Sequence, residues 1–164
     1  MGKINLIRID DRLIHGQVMT KWSKGLGTNA IYVVDNLTAA DDFMKEIYIN
    51  VNSSSGLKIK VFSTKEVMES WAQDQFGNDQ VVLLFKNIAS VKEVIEKGNL
   101  PIEKLNIGGI SKKANSKFVI STVGLTKEDG EVLKEIESKG IEVYFQTVPD
   151  SKRVSLTDAL KSLK

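Results

Sequence analysis

The residues best equipped for chemistry lie in one short stretch, Ile7-Arg8-Ile9-Asp10-Asp11-Arg12-Leu13-Ile14-His15-Gly16-Gln17-Val18. An apolar run ends in two carboxylates and an arginine, and a histidine follows three residues later. His15 is the only histidine of the chain, and Arg8 and Arg12 are two of its three arginines, the third being Arg153. Near pH 7 a neutral imidazole keeps a lone pair on one ring nitrogen and can attack phosphorus. The phosphohistidine so formed carries close to two negative charges, which call for cations and N–H donors. Arg12 offers a guanidinium fork to phosphate oxygens, and Arg8 can add to the positive field. The backbone N–H groups of a first helical turn at Gly16, Gln17 and Val18 point toward such an anion. Glycine at position 16 lets the oxygens approach the main chain. Asp10 or Asp11 can accept the other imidazole N–H and so fix the tautomer.

Plainer uses exist for each residue. A lone histidine beside a helix start is often a half-buried polar side chain. Asp10 and Asp11 can cap the helix, or pair with Arg8 and Arg12 at the surface for roughly 0–1 kcal/mol. The concentration of rare residue types in one loop favours a site. A metal is not expected there: Asp10 and Asp11 are the only plausible ligands, and neighbours on a strand end point apart. Without cysteine there is no thiolate metal site, disulfide or thiol nucleophile, and a single histidine excludes the two-histidine zinc motifs. No cofactor is implied. The chain lacks a Gly-Lys-Ser/Thr phosphate loop, a Gly-x-Ser-x-Gly elbow, and a Gly-x-Gly-x-x-Gly after the first strand.

The elements that must hold this stretch follow from hydrophobic periodicity. Apolar, β-branched runs at 4–9, 30–35, 57–62, 80–85, 104–107 and 141–146 read as strands, several buried on both faces. A further short strand is expected near 118–121. Helical patterns lie between them. Residues 16–26 place Val18, Met19, Trp22 and Leu26 on one face, and the pattern from Thr38 gives Phe43, Met44, Ile47, Tyr48 and Val51. Ser63-Thr64-Lys65-Glu66 and Ser90-Val91-Lys92-Glu93 read as capping boxes. Helices are also expected over 126–139, stopped by Gly140, and over 155–163. Repeated β-then-α units predict an α/β fold: a single domain, residues 1–164, with a mostly parallel central sheet and helices on both faces. Ligands bind such sheets beyond the C-terminal strand ends, which points to loops 10–15, 35–37, 63–64, 86–87 and 108–109. Gly108-Gly109 reads as a plain turn or as room for a ligand near the backbone.

At 164 residues and 41% hydrophobic content, the chain can bury one real core. A net charge of +2 gives no support for nucleic-acid binding. The longest apolar runs are five residues, such as Val81-Val82-Leu83-Leu84-Phe85, so no direct membrane insertion is expected. With no signal peptide or myristoylation motif at the N-terminus, a cytoplasmic location is expected.

The stretch Arg8-Ile9-Asp10-Asp11-Arg12-Leu13-Ile14-His15-Gly16-Gln17-Val18, followed by Trp22, resembles the active-site signature of the IIB component of the bacterial sugar phosphotransferase system, mannose/fructose/sorbose class. Val33-Val34-Asp35, Asn106-Ile107-Gly108-Gly109 and the ending Gly140-Ile141-Glu142-Val143 with Val148-Pro149 fit the same family. The resemblance implies a phosphotransferase that works as a transient phosphohistidine carrier. His15 matches the phosphorylated histidine, Arg12 the arginine that supports the phosphate, and Asp10 the acidic position beside it. The partners implied are a phosphorylated IIA protein, the membrane IIC and IID subunits and a sugar, with the protein cytoplasmic but associated with those transporter subunits. A stand-alone IIB subunit is expected, since 164 residues leave no room for a IIA domain. Many family members carry a further acidic residue after Asp35, where this chain reads Asn36-Leu37-Thr38. Two other readings compete. A receiver-like signalling module needs an acceptor aspartate after the third strand, where Ser63-Thr64 stands instead. A non-catalytic anion-binding domain would make His15 merely structural.

Overall fold

The computed structural model describes residues 2–16, 21–50 and 56–164. In chain order the elements are β1 (Lys3–Asp10), a short turn of helix α1 (Ser23–Gly25), β2 (Ala30–Val34), α2 (Asn36–Ala39), α3 (Asp42–Asn50), β3 (Lys58–Phe62), α4 (Thr64–Asp74) and β4 (Gln80–Phe85). They continue with α5 (Ile88–Lys97), β5 (Lys104–Gly109), β6 (Lys117–Ile120), β7 (Val123–Leu125), α6 (Lys127–Glu137), β8 (Glu142–Phe145), β9 (Val154–Ser155) and α7 (Leu156–Leu160). The main sheet has seven strands in the order β3-β2-β4-β1-β5-β8-β9, all parallel except β9, which runs against β8. β6 and β7 form a separate antiparallel pair.

The sheet is covered on both sides, as the continuous Val, Ile and Leu runs require. All five residues of β2 are buried, and so are the last five of β4. One face carries the larger core, where Ile7, Ile9, Val34 and Phe85 meet Val67 and Trp71 of α4, Val91 and Val94 of α5 and Leu133 and Ile136 of α6. The opposite face has a smaller core of Leu13, Ile31, Val33, Val61, Val82 and Leu84, with Tyr48 of α3 against it.

Several expectations need correction. α5 begins three residues before the expected box: Asn87 is the cap, accepting from Ser90 N at 2.9 Å. Starting there places Ile88, Val91 and Val94 together on the core face. α3 has no buried residue, and Phe43 and Ile47 are exposed; the helix packs beside edge strand β3, which covers only part of the Met44 and Tyr48 side. Trp22 is buried as expected but Leu26 is exposed, because the chain has left the helix and turns toward β2 there. Val18, Met19 and Val51 lie outside the described residues. Gly108 and Gly109 belong to β5 itself and form no turn. Ser63 makes its capping box with Glu66, and Gly140 takes the left-handed conformation expected after α6.

Candidate active site

The parallel strands end along one edge of the sheet, and β1 and β5 lie side by side there. The chain leaves β1 toward β2 on one side and leaves β5 toward β8 on the other. Such a reversal opens a crevice between neighbouring strand ends. The loop after β1 bends over it in a tight turn: Leu13 N donates to Asp10 O at 2.9 Å, and Arg12 N donates to Asp10 Oδ1 at 3.1 Å. Leu13 pays for the bend with a left-handed φ of 58°, a cost of about 1–2 kcal/mol. Its side chain is buried in the smaller core, a gain of about 1.5–3 kcal/mol that offsets the strain. The apolar anchor thus holds a strained loop that carries Arg12 and His15.

Asp10 is the centre of the cluster and is fully buried. Its Oδ2 accepts from Arg8 Nη2 at 3.1 Å and Arg12 Nη2 at 2.8 Å, and lies 3.0 Å from His15 Nε2. Its Oδ1 accepts from Arg12 Nε at 2.9 Å. Burial pushes this carboxyl up, but the hydrogen bonds from Arg12, the charge of Arg8 and the hydrogen bond from His15 outweigh it and hold the group at about 2. An ionised carboxylate has no proton to give, so the ring proton is on His15 Nε2. In the neutral ring the lone pair is then on Nδ1. The Arg12 fork uses Nε and Nη2, leaving Nη1 outside it, and the side chain is 45% exposed against 18% for His15.

Arg8 is not placed as the sequence suggested. Rather than adding directly to the field around a phosphate, it is fully buried behind Asp10. Nη1 donates to Asn106 Oδ1 at 2.6 Å and Gln146 O at 3.0 Å, and Nη2 donates to Asp10 and to Thr147 O at 3.0 Å. The Trp22 ring lies 5.1 Å from the guanidinium carbon, and its Nε1 donates to Thr147 O at 3.1 Å. Burial lowers the proton affinity of Arg8, and Asp10 opposes that effect. Between the two aspartates, Asp10 faces His15. Asp11 turns away: its Oδ2 accepts from Ser111 N at 2.6 Å and its N donates to Gly109 O at 3.0 Å. The described residues hold no group of three or more His, Cys, Asp or Glu arranged for a metal ion. Gly16 is exposed at the helix start, and a Cβ built there meets nothing within 4 Å. Gln17 and Val18 lie outside the described residues.

The other strand-end loops are tied to one another. Asp35 caps α2 through Thr38. Asn36 Oδ1 accepts from Thr64 N at 2.8 Å, and Thr64 Oγ1 donates to Glu93 at 2.8 Å. Asn36 therefore links the β2 and β3 loops. Neither Asn106 nor Trp22 has a role at the site from sequence pattern, where Trp22 reads as core and as a neighbour of the signature; the structure places both against Arg8. A signal for Asn106 was present: Arg8 and Asn106 are polar interruptions of two apolar strands, and they face each other in register.

This cluster makes an acid-sensitive contribution to the fold. The Asp10 carboxyl is lower in the folded chain than its ordinary 3.8. Its stabilisation is therefore complete above about pH 4 and lost as pH falls through about 2, a contribution on the order of 2 kcal/mol. Urea unfolding from pH 5 to pH 2 should show the midpoint falling in that window. Asp10→Asn should flatten that part of the profile, and an acid limb of unchanged slope in that variant would count against it.

At the switch point of the parallel α/β sheet the signature stretch thus brings together a histidine, a buried carboxylate and an arginine fork. Residues 4–164 match the family model described as PTS system sorbose subfamily IIB component, and the chain belongs to that family. It is 32% identical over 145 residues to the sorbose-specific EIIB component of Lacticaseibacillus casei, covering 88% of this chain and 87% of that one. It is 30% identical over 160 residues to the mannose-specific EIIAB component of Escherichia coli K12, covering 98% of this chain and 49% of that one. The chain thus spans about half the length of that relative. The crystal structure of manxB from Thermoanaerobacter tengcongensis superposes with a TM-score of 0.89 at 42% identity, covering 98% of this chain and 96% of that one. No helix among the described residues is long and apolar enough to cross a membrane.

Proposed function

We propose that this chain is a phosphohistidine carrier of the phosphotransferase system, with residues 1–164 forming one IIB domain that works in the cytoplasm. His15 takes a phosphoryl group from a phosphorylated histidine of a IIA partner and passes it to a sugar delivered by the IIC and IID membrane subunits. The observation that carries this reading is the 3.0 Å contact between His15 Nε2 and the buried, ionised Asp10. It commits one ring nitrogen to the protein and leaves the lone pair on the other, Nδ1.

In the first step the Nδ1 pair forms a bond to phosphorus, and the P–N bond to the donor histidine breaks, its electron pair staying on the donor nitrogen. The ring becomes positive, and Asp10 offsets that charge through Nε2–H. Arg12 binds the transferring phosphoryl oxygens, first through Nη1. Gly16 and Gln17 are the further phosphate-binding residues of this reading. Arg8 acts through Asp10 as a positioning residue. In the second step a sugar hydroxyl oxygen attacks phosphorus and releases its proton to water, and Nδ1 leaves with the P–N pair, which returns the ring to its neutral form.

Incubation with a phosphorylated IIA protein and mapping of the label tests the reading. The label is expected on His15 alone and absent from His15→Ala; a label that persists in that variant contradicts it. The transfer rate is expected to be unchanged in excess EDTA, because Asp10 and Asp11 diverge and Arg12 carries the neutralisation. A rate that collapses with chelator and returns with Mg²⁺ would instead favour an acidic metal pocket of the receiver type.

A further inference from the structure

The segment Asn106-Ile107-Gly108-Gly109 of β5 lies against Arg8 and Asp10, the pair behind His15. Both glycines are buried. Neither has a positive φ, so backbone freedom does not explain why glycine stands there. Space does. A Cβ on Gly108 would land on the Arg8 guanidinium, and one on Gly109 would come within 2.6 Å of Asp10 Oδ1. Consecutive strand residues normally face opposite sides of a sheet. Here the β1–β5 register shifts between Ile9 and Asp10, so that Arg8 pairs with Asn106 but Asp10 pairs with Gly109. The irregularity turns the backbone so that two adjacent glycines back onto one ion pair. Asn106 closes the slot, accepting from Arg8 Nη1 at 2.6 Å while its Nδ2 donates to Gln146 O at 3.4 Å. Thr122 Oγ1 donates to Gly108 O at 2.8 Å and braces the outer wall.

We infer that Asn106, Gly108 and Gly109 are positioning residues for phosphoryl transfer: they form the slot that seats Arg8 and Asp10, and through Asp10 they set which ring nitrogen of His15 is bare. The rate consequence rests on the carrier function proposed above, whereas the tautomer consequence does not. A side chain at 109 pushes the carboxylate away from Nε2. A hydrophobic residue at 106 removes an acceptor from a buried guanidinium and lets Arg8, and with it Asp10, move. A displacement of about 1 Å in such a constellation costs on the order of 100-fold in rate.

The single histidine makes the test direct, because ¹⁵N NMR of the ring reports His15 alone. In the parent, the proton is expected on Nε2. In Gly109→Ala the two tautomers are expected to mix, and labelling by phosphorylated IIA to slow by about 10- to 100-fold, with urea unfolding still cooperative. Asn106→Ala introduces no clash, is expected to shift both readouts in the same direction, and decides the matter if Gly109→Ala does not fold. Parent-like tautomer and rate in the folded variants overturn the inference. If the parent takes no label from phosphorylated IIA, the carrier function fails, and the ring spectra alone still decide whether the slot positions Asp10.

Discussion

Asp10→Asn is expected to slow phosphoryl transfer to His15 by about 10²- to 10⁴-fold and to lower stability by about 3–5 kcal/mol. Two separate losses produce this. The carboxylate accepts the Nε2 proton of His15 at 3.0 Å. An amide can present its NH₂ there instead, which places the ring proton on Nδ1 and removes the nucleophilic pair. The second loss is electrostatic. Arg8 is fully buried, and Asp10 is the carboxylate it pairs with. Removing one partner leaves a buried charge uncompensated, a larger cost than the worth of the intact pair. Rapid-quench measurement of transfer from phosphorylated IIA reads the first effect, and urea unfolding at pH 7 the second. A variant that transfers at the parent rate would show that Asp10 does not control the ring.

Arg12→Ala is expected to slow transfer by about 100-fold or more and to cost the fold less than Asp10→Asn does. Its guanidinium is 45% exposed but its partner Asp10 is buried, so losing its hydrogen bonds should also raise the Asp10 carboxyl toward its ordinary value and lower stability in part. Its value lies in meeting the charge that develops on phosphorus. Before transfer it is parked on Asp10 by Nε and Nη2, so it is already close to His15 when phosphate arrives. Arg12→Lys should recover part of the rate only, because an ammonium cannot make the planar fork. The same quench experiment on both variants checks the ordering. Equal rates in parent, lysine and alanine forms would remove Arg12 from the phosphate site.

Much of this architecture was legible because it rests on local pattern. A doubly covered strand must be apolar throughout, and β4 reads that way over Val81-Val82-Leu83-Leu84-Phe85. β7 and β9 have three and two residues, too short for any periodicity to show. α5 was misplaced because two acceptable caps lie three residues apart, and burial of Ile88 decides between them. The exposed side of α3 reflects how little of the sheet reaches past β3, which no local pattern encodes.

The reactive loop was legible from rarity and clustering. Its internal roles were not, since they depend on partners far along the chain. Arg8 becomes a buried support only because Asn106 accepts its hydrogen bond and Gly108 leaves it room. The choice between Asp10 and Asp11 had a cue in strand alternation: Arg8 and Asp10 are two residues apart and so share a face. Gly108 and Gly109 read as a turn or as room for a ligand, whereas here the missing side chains leave volume for Arg8 and Asp10.

The central claim is that Asp10 holds Nε2 and leaves Nδ1 of His15 to carry the phosphoryl group. Two-dimensional ¹H–¹⁵N and ³¹P NMR of the phosphorylated, ¹⁵N-histidine-labelled protein tests it most directly, since one imidazole gives one pair of ring nitrogens. Phosphorus coupled to Nδ1, with Nε2 still protonated, is the expected result. Phosphorus on Nε2, or on any residue other than His15, would contradict the claim.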